Sequence, residues 1–273
     1  MTQQEKQVNY MGPFITMVFL FFIVGFLTTA NTQFQGPLKE TFLAEVGGLK
    51  NTLITFSWFL AYPVCGRVGS SWISKYGYKV TLMRGLLVMV VGLGLFFASS
   101  YFTVFFPEAN WHAGGNVIPG GFFIFLLGSF VVGASATILQ VVINPYLTAC
   151  HVKGTQAIQR LAIGGSANSV GTTLAPYFVT GVVFGGLAME DIRIDQLMIP
   201  FLVLIVVISL IVFLLMKLSL PDIQGTRIEK GEKLEKSIWS FRHLTLGVCA
   251  IFCYVGVEVC IGANINLYAI EMN

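Results

Sequence analysis

Two side-chain amides, Gln140 and Asn144, lie in a run without Asp, Glu, Lys or Arg that extends over residues 109–152. They are four residues apart, so a helix places them on one face, one turn above the other. At helical steps the same stripe also contains Gly133, Thr137 and Thr148. Amides donate and accept hydrogen bonds, and a polar stripe on an otherwise lipid-compatible helix must meet protein, water or substrate rather than acyl chains. This helix is therefore expected to line a polar contact or a binding path.

Three further polar side chains lie deep in apolar segments: Asn31, Asn168 and Glu258. Asn168 forms a second polar face with Thr172, and an interhelical hydrogen bond would explain it equally well. Glu258 is the one acidic residue deep within a predicted span, and an ionisable group there indicates function by default because charge in a membrane is costly. The alternative for Glu258 is a protonated side chain that is hydrogen-bonded to a neighbouring helix.

The composition is that of an integral membrane protein. Only 11% of the 273 residues are charged and 55% are hydrophobic, whereas soluble domains carry about 25% charged residues. Charge-free runs of about 18 residues or more predict helices rather than the short alternating strands of a barrel. The five cysteines form no CxxC pair and are interpreted as small apolar residues. Seven spans are predicted, at residues 11–35, 53–73, 82–105, 121–146, 161–187, 197–216 and 244–268.

The placement of basic residues predicts the orientation. Thirteen of the 16 Lys and Arg residues fall on one side of the predicted spans, and the other side holds only Lys39, Lys50 and Arg193. Because cytoplasmic loops carry an excess of Lys and Arg, the N-terminus and the 217–243 loop are expected in the cytoplasm. The basic turn between the second and third spans contains Lys75 and Lys79, which fit either an ordinary cytoplasmic anchor or a gating element.

The chain is expected to form two parts joined by a linker. Residues 1–220 are predicted to form a six-helix N-terminal bundle, 221–243 a charged cytoplasmic linker, and 244–273 a seventh helix that begins an incomplete second bundle. A weak similarity between residues 30–34 and 263–267 fits parallel internal repeats. Helix 1 either ends near Ala30 or continues to about Phe42, and the apolar period of Phe34, Leu38 and Phe42 favours the longer helix.

Four groups of residues carry a family resemblance. They are Gly25-Phe26-x-Thr28-x-x-Asn31 with Leu38-Lys39; Leu139-Gln140-Val141-x-x-Asn144-Pro145-Tyr146; Arg160-Leu161 with Asn168-Ser169-x-Gly171; and Tyr254-Val255-Gly256-x-Glu258-Val259. With these motifs the sequence resembles sugar transporters of the major facilitator superfamily, specifically the bacterial fucose/glucose/galactose permease group. The resemblance extends from the first predicted helix to the seventh.

This resemblance implies an all-α membrane protein with a major facilitator-type helical bundle, namely the six-helix N-terminal half and helix 7 of an expected twelve. It also implies an alternating-access carrier for a monosaccharide, located in a bacterial cytoplasmic (inner) membrane. Sugar hydroxyls both donate and accept hydrogen bonds, which suits neutral amides. The expected substrate-binding residues are Asn31, Gln140, Asn144, Asn168 and Glu258.

The same resemblance bears on the sugar and on the coupling ion. The fucose branch looks to have Glu and Gln where this chain has Gln140 and Glu258, so glucose or galactose is favoured and an L-fucose-type proton symporter is the alternative. Family members place an Asp just after the helix 1 Asn, where this chain has Thr32. Cation coupling by H⁺ or Na⁺ is therefore assigned to Glu258 or Thr32. Structural or gating roles are expected for Pro145, Arg160, Lys75 and Lys79.

Other functional classes are less consistent with the sequence. The three histidines, His112, His151 and His243, lie on different segments, and no HExxH, GxSxG or paired carboxylate is present, so an enzyme is not expected. A sugar sensor that binds without transporting stays possible. No cofactor, metal, nucleic acid or obligate protein partner is expected beyond the monosaccharide and the lipid bilayer. The chain looks truncated after helix 7, and alone it is expected to show no sugar flux.

Overall fold

The computed structural model describes residues 10–43, 49–113, 116–185, 194–218, 220–221 and 238–271. The chain divides into two compact units, Met1–Arg227 and Ile228–Asn273, which are treated separately. The prediction of an all-α membrane protein is confirmed, since helices make up almost all of the described chain.

The first unit contains five α-helices and one β-hairpin in its described part. The elements are α1 (Met11–Leu43), α2 (Leu49–Phe105), β1 (Asn110–Ala113), β2 (Asn116–Pro119), α3 (Gly120–Ala149), α4 (Ala157–Phe178) with a π-helical turn at Val179–Val183, a 3₁₀ turn at Ile194–Leu197, and α5 (Met198–Lys217). In the second unit a 3₁₀ turn at Ile238–Ser240 precedes α6 (Arg242–Glu271). α1 reaches Leu43, so the longer of the two predicted versions of helix 1 is confirmed.

Two predicted spans lie within α2, which is broken at Gly77. This residue has φ 79° and ψ 176°, a backbone conformation that is essentially restricted to glycine. It separates a first arm, residues 49–76, from a second arm, residues 78–105. The Thr81 hydroxyl donates a hydrogen bond to the Gly77 carbonyl (2.8 Å), which satisfies an acceptor at the break.

Both arms of α2 pack on α3, which is the most buried helix of the unit. The first arm runs parallel to α3, since Gly133 of α3 lies at Trp58 and Val141 lies farther along at Gly69. The second arm runs antiparallel to α3. A methyl group on Gly133 would lie 2.5 Å from the Trp58 carbonyl oxygen. Small residues allow this close approach, and α3 therefore sits between two arms of opposite direction.

Hydroxyl-to-carbonyl hydrogen bonds join α3 to both arms. Ser57 Oγ donates to the Leu126 carbonyl, Ser99 Oγ to that of Gly121, and Ser135 Oγ to that of Gly85, each at 2.7 Å. Because a hydroxyl cannot be left unpaired in an apolar interior without cost, these bonds help fix the register of the helices.

The pair α1–α4 forms the second close contact. Gly171 lies against the backbone of Phe22 and Phe26, and Gly25 lies against the backbone of Asn168. No side chain larger than hydrogen fits at these points without displacement. α5 packs on the second arm of α2, where the rings of Phe201 and Phe96 are 5.3 Å apart.

The described surface is apolar along the helices. By length and composition four helical segments of the described chain could cross a membrane: Met11–Asn31, Phe56–Phe105, Gly120–Ala149 and Asp195–Lys217, the second of which contains the break at Gly77. On α5 the exposed side chains include Leu202, Val206, Leu210 and Phe213. Large exposed apolar side chains of this kind are suited to contact with lipid rather than water.

The β-hairpin is a feature that the sequence analysis did not predict. β1 and β2 are antiparallel, with Trp111 opposite Ile118 and His112 opposite Val117. The sequence signal that could have found it is Gly114-Gly115 between these short segments, since Gly-Gly is a preferred two-residue hairpin sequence.

Candidate functional site

Gln140 on α3 is hydrogen-bonded to Tyr62 on the first arm of α2. The Gln140 Nε2 donates to the Tyr62 hydroxyl at 3.1 Å, and Gln140 is partly buried. Tyr62 stacks on Phe59 with ring centroids 5.8 Å apart. This contact holds the amide beside the phenol, and in the arrangement seen the nitrogen is directed at Tyr62 while the carbonyl oxygen remains an acceptor.

Trp58 lies one helical turn before Tyr62 and is almost completely buried. It interacts with Tyr62, yet its indole nitrogen has no partner at hydrogen-bond geometry in the described part of the chain. An indole N–H can only donate. The first arm of α2 therefore presents a donor without a well-formed hydrogen bond, close to the tyrosine that holds Gln140.

Asn31 and Asn144 each have a buried amide oxygen without a hydrogen-bond partner among the described residues. Asn31 lies on α1 and is 2% exposed, and Asn144 lies on α3 and is partly buried. Buried polar groups are normally hydrogen-bonded, and an unpaired one costs roughly 1–3 kcal/mol. Two unpaired acceptors therefore mark positions where a donor from a ligand or from water would be favourable.

Asn168 makes the interhelical hydrogen bond that was one of its two interpretations. Its Nδ2 donates to the Phe21 carbonyl on α1 at 3.0 Å, and it sits where Gly25 leaves room for the α4 backbone. The bond ties α4 to α1 and leaves the amide oxygen as an acceptor. A part in substrate binding stays a prediction.

The levels of these amides along the helices can be compared through their contacts. Gly164 of α4 lies against Leu147 of α3, and α4 runs opposite to α3, which places Asn168 near the level of Ile143. Gln140, Asn144 and Asn168 are thus within about one helical turn of one another. Asn31 lies six residues beyond Gly25, so it is about 9 Å farther along α1 than the level of Asn168.

Arg160 holds the C-terminal end of α3. The guanidinium is 5% exposed and donates through Nε to the Leu147 carbonyl (2.9 Å) and through the terminal nitrogens to the carbonyls of Thr148 (2.7 Å) and Thr155 (2.9 Å). The last carbonyls of a helix have no partner within the helix and favour a positive charge. Burial raises the pKa of the adjacent Cys150 thiol, and the Arg160 charge opposes that rise. Arg160 therefore has a structural contact, while its gating role stays a prediction.

The other residues with expected structural or gating roles occupy separate places. Pro145 is exposed within α3 and lacks the amide hydrogen that would bond to the Val141 carbonyl. Lys79 Nζ donates to the Met216 carbonyl at 3.1 Å, which ties the second arm of α2 to the end of α5. Lys75 is exposed and lies with Arg67 along a groove on the first arm.

The described residues do not test the two predicted coupling residues. Glu258 is exposed on α6 in the second unit, so the buried surroundings expected for it are not seen among the described residues of that unit. The Thr32 side chain lies outside the described residues. Both assignments stay predictions.

Sequence reasoning missed Tyr62 and Trp58 as parts of the site. They are four residues apart on one face of the first arm, and a buried tyrosine or tryptophan usually finds a polar partner. That spacing was visible in the sequence. What the sequence could not supply is which helix face receives Gln140.

Comparisons with known proteins agree with this fold. The chain is 31% identical over 264 residues to a glucose/galactose transporter of Brucella abortus biovar 1 (strain 9-941), covering 96% of this chain and 59% of that protein. It is 20% identical over 285 residues to the L-fucose-proton symporter of Escherichia coli (strain K12), covering 96% and 60%. No protein-family model matches the chain.

Among solved structures, the chain resembles a major facilitator superfamily transporter, FucP, in the outward conformation. The TM-score is 0.74 at 19% sequence identity, with 96% of this chain and 64% of that one covered. The major facilitator-type fold and the resemblance to the fucose/glucose/galactose group are thereby confirmed. The chain spans about 59% of the length of the glucose/galactose transporter that it matches.

Proposed function

We propose that this chain, which has the major facilitator fold and resembles the fucose/glucose/galactose group, forms the N-terminal bundle and seventh helix of a transporter that moves a monosaccharide by alternating access. The observation that carries the proposal is the pair of buried amide oxygens at Asn31 and Asn144, which have no hydrogen-bond partner among the described residues. Sugar hydroxyls are donors that can reach such acceptors in a dry site. The relatives are named as transporters, which favours transport over catalysis.

The substrate that we propose is glucose or galactose. Support comes from the higher identity to the glucose/galactose transporter, 31%, than to the L-fucose-proton symporter, 20%. Gln140 supports the same choice because its amide, oriented by Tyr62, offers a neutral acceptor. Asn168 would complete the polar wall with its amide oxygen. Tyr62 and Trp58 are the aromatic side chains that we assign to contact with the sugar ring.

The aromatic assignment follows from position. Trp58 is buried one turn from Tyr62, and its N–H, which makes no well-formed hydrogen bond among the described residues, would donate to a sugar oxygen. A sugar ring also presents apolar C–H faces, so an indole and a phenol on the arm that contacts Gln140 would add apolar contact to the hydrogen bonds of the amides. This arrangement is typical of ligand pockets, in which a few polar groups fix orientation among apolar side chains.

We further propose a multi-pass protein in the bacterial inner membrane with its N-terminus in the cytoplasm. Lys79 meets the end of α5, and Arg160 meets the end of α3, so several basic residues gather at one end of the first unit. An excess of Lys and Arg identifies the cytoplasmic side. Residues 221–243 are proposed as the linker between the bundles, and Glu258 or Thr32 as the site that couples transport to H⁺ or Na⁺.

The test is uptake of labelled glucose and galactose by the full-length protein in proteoliposomes, with Asn31→Leu and Asn144→Leu as variants. Each replacement keeps the approximate shape of the side chain and removes the acceptor. We expect uptake to fall at least tenfold in each, whereas Ser169→Ala, an exposed position on α4, should transport normally. Full uptake in both leucine variants would refute the site. Binding without uptake in the unmodified protein would indicate a sensor.

A further inference from the structure

One face of the first arm of α2 combines an apolar stripe with cationic side chains. Leu60, Val64 and Val68 follow one another at steps of four and are 41%, 51% and 39% exposed. Trp72 and Tyr76 continue the same stripe towards the break at Gly77. A helix places residues four apart on one face, so the stripe is continuous over about five turns.

A second stripe beside the first is polar and contains Arg67, Ser71 and Lys75, again at steps of four. The two stripes border a shallow groove of about 380 Å³, which is lined by Val64, Arg67, Val68, Ser71, Trp72, Lys75 and Tyr76. Arg67 and Lys75 are exposed and flank the Ser71 hydroxyl. The groove is therefore apolar along one side and cationic along the other.

Arg84 of the second arm adds a third cation at the same end. Its guanidinium carbon lies 3.9 Å from the centroid of the Tyr76 ring and 5.4 Å from that of Trp72. Stacking on aromatic rings holds a guanidinium in place while its edge remains free to bind an anion.

No carboxylate of α2 balances these charges, because residues 46–107 contain no Asp or Glu. In the described part of the chain no ion pair joins Arg67, Lys75 or Arg84 to an acidic side chain. Among the described residues, these three cations and two aromatic rings therefore have no anionic partner. Trp and Tyr are typical of the membrane–water interface, and anionic lipid attracts basic residues there.

We propose that this groove binds an anionic phospholipid, with the phosphate over Ser71 between Arg67 and Lys75 and an acyl chain along Leu60, Val64 and Val68. Charge complementarity selects a phosphate, since arginine forms bidentate hydrogen bonds with phosphate oxygens. The apolar stripe selects a lipid over a soluble phosphate, because the stripe lies beside the cations within the Phe56–Phe105 segment, which is long and apolar enough to cross a membrane. The site is independent of the sugar-binding amides.

The test uses the position of Trp72 in the groove. The chain is reconstituted in nanodiscs that contain brominated phosphatidylglycerol or brominated phosphatidylcholine at equal mole fraction, and tryptophan quenching is measured. The part due to Trp72 is obtained by comparison with Trp72→Phe. We expect phosphatidylglycerol to quench this part at least twofold more than phosphatidylcholine, and Arg67→Gln/Lys75→Gln to remove the preference.

Arg242→Gln, which neutralises an exposed cation on α6, is the matched control and should keep the preference. High salt should lower the preference of the unmodified chain for phosphatidylglycerol. This measurement needs no mutation, so it tests the proposal even where the double variant does not insert into the nanodisc. Soluble glycerol phosphate should not displace the lipid if the acyl stripe contributes. Equal quenching by both lipids, or a preference that survives in the double variant, would overturn the proposal and indicate a protein segment as the occupant.

Discussion

The Gln140 amide nitrogen lies 3.1 Å from the Tyr62 hydroxyl, so a side chain of α3 takes its orientation from the first arm of α2. The carbonyl oxygen of the same amide is thereby directed away from the phenol. The hydrogen bond thus holds the Gln140 amide beside Tyr62, and in this arrangement the oxygen is the end that is offered to a ligand.

Tyr62→Phe tests this relationship. Loss of one neutral hydrogen bond is worth about 0.5–1.5 kcal/mol, so the KM for sugar uptake by the full-length protein should rise roughly two- to tenfold. In Gln140→Ala the same tyrosine change should have little further effect, because the partner is already gone. Additive effects in the double variant would show that Tyr62 acts without Gln140. Phe59→Leu, at the ring that stacks on Tyr62, separates the loss of the hydroxyl from the loss of aromatic packing.

Asn144→Leu should separate stability from transport. The variant removes a buried acceptor that has no partner among the described residues, and replacing such a group by an apolar one of similar shape is neutral or stabilising. We expect a melting temperature equal to or above that of the unmodified protein, together with loss of uptake. Thermal unfolding in detergent and an uptake assay provide the two measurements. A lower melting temperature would show that Asn144 is structural.

Arg160→Ala should loosen the C-terminal end of α3. The guanidinium donates to three backbone carbonyls, and hydrogen bonds to charged groups contribute about 1.5–3 kcal/mol each when one partner is removed. The Cys150 thiol is buried, and burial raises its pKa, so maleimide labelling at neutral pH should be slow in the unmodified chain.

The readout for this change is the rate of Cys150 labelling, followed by peptide mass spectrometry. Arg160→Ala should increase it at least tenfold as the end of α3 opens, because exposure of the thiol outweighs the loss of the nearby positive charge that lowers its pKa. Arg160→Lys keeps the charge but loses the fork of donors, so its rate should be intermediate. Cys249, which is exposed on α6, serves as the internal control. An unchanged Cys150 rate would contradict the capping role.

Gly77→Ala should destabilise the first unit. Its φ of 79° with ψ of 176° belongs to a region that side chains avoid, at a cost on the order of 1–3 kcal/mol. Gly94→Ala is the matched control, because that glycine lies in the second arm of α2 with nothing within 4 Å of an added methyl group, and alanine favours helix by up to about 1 kcal/mol. Denaturant or thermal unfolding of the two variants should therefore shift in opposite directions. Equal shifts would mean that the break at Gly77 can relax.

The sequence predicts the helices well because apolar length and charge placement have few solutions in a membrane. The extension of α1 to Leu43 follows from the period of Phe34, Leu38 and Phe42, and the separation of the arms of α2 follows from the basic turn at Lys75 and Lys79. The hairpin of β1 and β2 was not predicted because each strand has only four residues, which is too short for a clear alternation of polar and apolar side chains.

The site is less predictable than the helices. Periodicity places Gln140 and Asn144 on one face, but it does not say which neighbouring helix that face meets. The pairing with Tyr62 and the separation of Asn31 from the other amides depend on how far each helix slides along its neighbours, and glycines at positions 25, 133 and 164 set those offsets. Such offsets are long-range properties, so local sequence does not contain them.

The glycine and serine contacts divide the first unit into two tightly joined sets, α2 with α3 and α1 with α4, while α3 meets α1 and α4 less extensively. Gln140 and Asn144 belong to the first set, and Asn31 and Asn168 belong to the second. A ligand that forms hydrogen bonds with both sets stabilises the weaker contact between them by part of its own binding free energy. Occupancy and the relative position of the two sets are then thermodynamically linked, so any change that shifts one set against the other must alter ligand affinity, and the ligand must resist that shift by the same free energy.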